Sequence, residues 1–166
     1  MIHAVQSATE GPVTPEQPAR ISRVLVAITL LAGILVVTPL FAMGRITPGF
    51  SVLALILFLP YLVVCWRLLR SPGSKEGPGL ACGIALVFVS LGLLVCAVNL
   101  EQRDYLRLAY CCAVIGVHAV LAGLGIAAFR QGISEKPAWR VMLRSILDPL
   151  VYYGIVFFLA LGAHVH

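Results

Sequence analysis

The chain has 166 residues, 60% hydrophobic and only 11% charged, with a mean hydropathy of +0.99. Soluble domains carry about 25% charged residues, so a water-covered surface is excluded and the composition points to one all-α integral membrane domain. The formal net charge of +5 comes without a basic patch interleaved with aromatics outside the apolar runs. That excludes a nucleic-acid partner and makes the lipid bilayer the expected one.

Residues 1–23 carry three prolines and few large apolar side chains, which predicts a flexible cytoplasmic tail. The first apolar run, 24–43, is too long for the roughly 7–15-residue core of a signal peptide and reads as an uncleaved span. The second run is 50–69. Both match the roughly 20 residues that cross a hydrocarbon core, and both contain a proline, Pro39 and Pro60. A helical proline removes one backbone hydrogen bond and frees the carbonyl four residues earlier, here those of Leu35 and Ile56. In a bilayer such a carbonyl must find another partner. Pro60 sits near the middle of its run and is the better candidate for a hinge or a polar lining.

Runs three and four, 79–100 and 106–129, are joined only by "EQRDY", which forces an antiparallel hairpin. Small residues recur at helical spacing in both, Gly83 and Ser90 in the third and Gly116 and Gly123 in the fourth. Small residues let membrane helices approach closely, so these stripes predict the seam between runs three and four. The segment 135–147 is different. Trp139, Met142, Leu143, Ile146 and Leu147 share one face, and Lys136, Arg140, Arg144 and Ser145 share the other. This predicts a short basic amphipathic helix lying at the membrane interface. Asp148 then caps a fifth span, 149–165, with Pro149 at its first helical position. The expected fold is a five-span helical bundle.

Nine of the twelve Lys and Arg residues fall on one side of this threading: Arg20 and Arg23; Arg67, Arg70 and Lys75; Arg130, Lys136, Arg140 and Arg144. Arg45, Arg103 and Arg107 fall on the other. Basic loops stay cytoplasmic, so the N-terminus is expected inside the cell and the C-terminal "AHVH" outside, in a multi-pass protein of the inner cell membrane. Trp66, Phe129 and Trp139 would mark the inner boundary, Phe50 and Tyr105 the outer one.

Few residues carry chemistry. Cys96 and Cys112 lie at similar depth toward the outer face, where an oxidising exterior would permit a disulfide; Cys111 is the alternative partner. His118 lies near mid-span with Cys111 on its face, but seven residues separate them, about 10.5 Å along a helix at 1.5 Å per residue. That is too far for one metal ion. The other histidines, His3, His164 and His166, lie near the termini, so no bis-histidine haem forms within one chain. His118, Cys111 and Pro60 are the candidates for a polar-tolerant cavity. The bland alternative is a neutral His118 bonded to a carbonyl on a neighbouring helix, such as one freed by Pro60. No catalytic set and no cofactor is predicted. The sequence favours a non-catalytic membrane subunit, scaffold or sensor, alone as a homo-oligomer or with a membrane-protein partner. A small permease for an uncharged or lipophilic substrate is the first alternative, and a haem or redox protein the second.

Overall fold

A computed structural model describes residues 16–44 and 48–162, which form five helices: α1 (Glu16–Gly44), α2 (Pro48–Arg70), α3 (Glu76–Glu101), α4 (Tyr105–Gln131) and α5 (Ala138–Gly162). Most of the expected tail, and the end of the fifth run with "AHVH", lie outside the described residues. All five helices are long and apolar enough to cross a membrane, the build of a multi-pass membrane protein. Their outer surfaces agree: Leu94, Phe157, Phe158 and Leu159 are all more than half exposed. In water each such side chain would forgo about 1.5–3 kcal/mol of burial; in hydrocarbon it forgoes almost none.

The α3–α4 hairpin closes tightly. Arg103 adopts the left-handed conformation (φ 57°) as the chain leaves α3, and Asp104 caps α4 by accepting from the backbone N–H of Arg107 at 3.1 Å. Helices α3 and α4 form the most extensive pairing, α1 and α2 the next, and α5 lies along α3. At the opposite end of the bundle, the 71–75 and 132–137 connections join through a single parallel bridge, Ser74 with Ile133. The buried core runs between the helices through Leu25, Ala32, Tyr61, Val64, Leu68, Ile84, Leu121 and Tyr153.

Two expectations are corrected here. The amphipathic segment 135–147 and the fifth run are not separate elements: residues Ala138–Gly162 make one unbroken helix through Pro149. Asp148 is therefore not a cap; it sits inside α5 and takes an ion pair from Arg144 at 3.2 Å. The carbonyl that this proline frees, that of Ser145, lies against the backbone of α3. Gly83 comes so close that a Cβ built on it would collide with the Ser145 carbonyl and stand 3.1 Å from Pro149 Cγ.

The second correction concerns the small-residue seam. Gly83 packs against α5, not α4, and Ser90 is exposed on the same side. Gly116 and Gly123 have no neighbour within 4 Å of where a side chain would begin. The α3–α4 contact instead uses Gly92 against Ile115 and Gly125 against Cys82 and the Pro78 carbonyl. The spacing of the small residues marks a stripe on each helix but does not say which neighbour that stripe meets.

Candidate functional site

The two other interior prolines are answered by tyrosines from distant helices. The Ile56 carbonyl, freed by Pro60, accepts from the Tyr152 hydroxyl of α5 at 2.7 Å. The Leu35 carbonyl, freed by Pro39, accepts from the Tyr110 hydroxyl of α4. Tyr153 donates to the neighbouring Leu57 carbonyl at 3.3 Å. Pro60 is half-buried, and the carbonyl it frees is bonded to Tyr152.

His118 is fully buried at the centre of the bundle. Its Nδ1 lies 2.8 Å from the Val114 carbonyl of its own helix, and its Nε2 lies 2.8 Å from the Tyr61 hydroxyl of α2. A carbonyl only accepts, so Nδ1 carries the hydrogen and Nε2 accepts from Tyr61. The expected interhelical partner exists, but it is a tyrosine hydroxyl and not a carbonyl freed by Pro60. Phe88 stacks obliquely on the imidazole, with ring centroids 5.1 Å apart, and Tyr153 meets Phe88 edge-on at 4.9 Å. Both ring nitrogens are engaged, which leaves neither free to ligate a metal or haem iron. Among the described residues no three of His, Cys, Asp and Glu are grouped to hold a metal.

Cys111 lies elsewhere, half-buried on the α3–α4 seam. Asn99 of α3, itself buried, donates from Nδ2 to the Val95 carbonyl at 2.9 Å and approaches Cys111 Sγ at 3.8 Å. Cys96 stands beside Cys111 and Cys112 across this seam, and all five cysteines are free thiols in the structure. The structure does not bring His118, Cys111 and Pro60 into one site.

Two recesses lie outside this core. A cavity of about 520 Å³, lined almost wholly by apolar side chains such as Leu53, Leu57, Leu86, Leu150 and Phe157, opens between α2, α3 and α5. Phe88 and Tyr153 also line it, so one ring separates it from His118. A second recess of about 250 Å³ sits where the C-terminal end of α2 meets the N-terminal ends of α3 and α5, lined by Arg67, Glu76, Lys136, Arg140, Arg144 and Asp148. Sequence reading missed Tyr61, Phe88, Tyr110, Tyr152 and Tyr153. The available signal was that tyrosines lie deep within apolar runs, where each hydroxyl needs a partner.

Fold and site together define a multi-pass helical membrane protein with a closed, internally bonded polar centre. No family model, curated protein or solved structure matches the chain.

Proposed function

We propose that the chain is a non-catalytic membrane subunit or scaffold of the inner cell membrane, with its N-terminus in the cytoplasm, that packs another transmembrane helix against the outer face of α4. The observation that carries this reading is the open ground over Gly116 and Gly123, neither of which has an atom within 4 Å of a would-be Cβ. Ala109, Ala113, Ala119 and Ala127 are exposed as well. Such a face offers a partner close backbone approach, which is what drives helix association in lipid. The paired His118 supports the absence of catalysis, and the distribution of Lys and Arg supports the orientation. Size measurement of the protein in lipid nanodiscs tests this. A dimer or a stoichiometric partner is expected, released by Gly123→Leu with no loss of thermal stability. A wild-type chain that is monomeric and partnerless contradicts it.

The apolar cavity between α2, α3 and α5 favours a second reading, a permease for a lipophilic substrate. Flux across vesicles that survives closure of that cavity would remove it.

A further inference from the structure

The basic recess and the apolar cavity are bounded by the same three helices and follow one another along the bundle axis. The recess is lined by four cations, Arg67, Lys136, Arg140 and Arg144, against two carboxylates, Glu76 and Asp148. Glu76 is shared by Arg67 and by Lys136, the latter at 3.6 Å, and Asp148 is taken by Arg144. Arg140 has no carboxylate within 4 Å among the described residues; its guanidinium rests 5.3 Å from the Trp139 ring centroid. The recess therefore keeps an excess of positive charge. Its depth is marked independently by Trp66 and Trp139, both 62% exposed. Exposed tryptophans gather at headgroup level. Further along the axis, the cavity begins at Gly83 and Ile146, just past the Arg144 turn, and is kept open by Gly154, over which nothing lies within 4 Å.

We infer that this face holds one anionic phospholipid, its phosphate on Arg140 and Arg144 and one acyl chain in the groove beside Gly154. Excess positive charge at headgroup depth selects the anionic phosphate, because basic pockets between membrane helices bind such headgroups. An apolar recess facing hydrocarbon selects the chain. Arginine suits the phosphate because its planar fork donates two parallel hydrogen bonds. The inference rests on the membrane-spanning reading but not on the α4 partner.

The test is native mass spectrometry of detergent-purified protein given dioleoyl phosphatidylglycerol, dioleoyl phosphatidylcholine, or glycerol 3-phosphate. One phosphatidylglycerol should be retained in clear preference to phosphatidylcholine. Arg140→Ala with Arg144→Ala should lower that retention roughly tenfold or more. Gly154→Leu, which meets no backbone obstacle, should reduce retention of the long-chain lipid while leaving thermal stability unchanged. Equal retention of the two lipids, or retention indifferent to both variants, overturns the site. Full competition by glycerol 3-phosphate overturns the lipid and leaves a soluble phosphate as the ligand. Release of the wild-type chain from vesicles by alkaline carbonate would instead contradict the membrane reading itself.

Discussion

Pro60 in α2 and Pro149 in α5 delete the same kind of backbone bond, and the bundle compensates in two different ways. At Pro60 the orphaned Ile56 carbonyl is given a new donor, the Tyr152 hydroxyl; Pro39 follows the same pattern with Tyr110. At Pro149 the orphaned Ser145 carbonyl is given no hydroxyl among the described contacts. The backbone of α3 is pressed against it at Gly83, where Cα–H groups offer only a weak donor. The first solution is chemical and local to one oxygen. The second is steric and depends on a missing side chain. The two should therefore fail differently.

The largest effect is expected at Gly83. A leucine there must push α3 off α5, backbone against backbone, with overpacking that costs about 3 kcal/mol. Unfolding of Gly83→Leu in detergent measures it, and restoring the α5 hydrogen bond with Pro149→Ala should not rescue the loss. A smaller effect is expected at the tyrosines. Tyr152→Phe and Tyr110→Phe each remove one interhelical hydrogen bond, about 1 kcal/mol in a membrane protein. Here rescue should succeed: in a Pro60→Ala background the Ile56 carbonyl regains its helical partner, and Tyr152→Phe becomes close to neutral. A double-mutant cycle reads this coupling directly. Rescue at both prolines, or at neither, would erase the distinction.

The positions of the helices were legible because apolar length alone sets them. The runs 24–43, 50–69, 79–100 and 106–129 all lie inside observed helices. The freed carbonyls of Leu35 and Ile56 were legible too, since they follow from the missing proline N–H. Their partners were not, because Tyr110 and Tyr152 are 75 and 96 residues away and nothing local points to them. Helix rotation was illegible for a related reason. The glycine stripe of α4 has the spacing of a seam, but whether it meets α3 or faces outward depends on the opposite side, where His118 seeks Tyr61. The polar residue set the rotation, and the glycines were left outside. The continuity of α5 was hidden because proline rules written for isolated helices omit what a close neighbour such as Gly83 can shield.

The central claim is that the buried His118 and Tyr61 bond to each other across α4 and α2 and serve the packing of those helices. Nitrogen-15 magic-angle-spinning NMR of histidine-labelled protein in liposomes, with His118→Gln to assign the signal, tests it most directly. The account predicts a single His118 tautomer with hydrogen on Nδ1 and an Nε2 that accepts a hydrogen bond lost in Tyr61→Phe. A hydrogen on Nε2, or a ring in exchange with water, would contradict it.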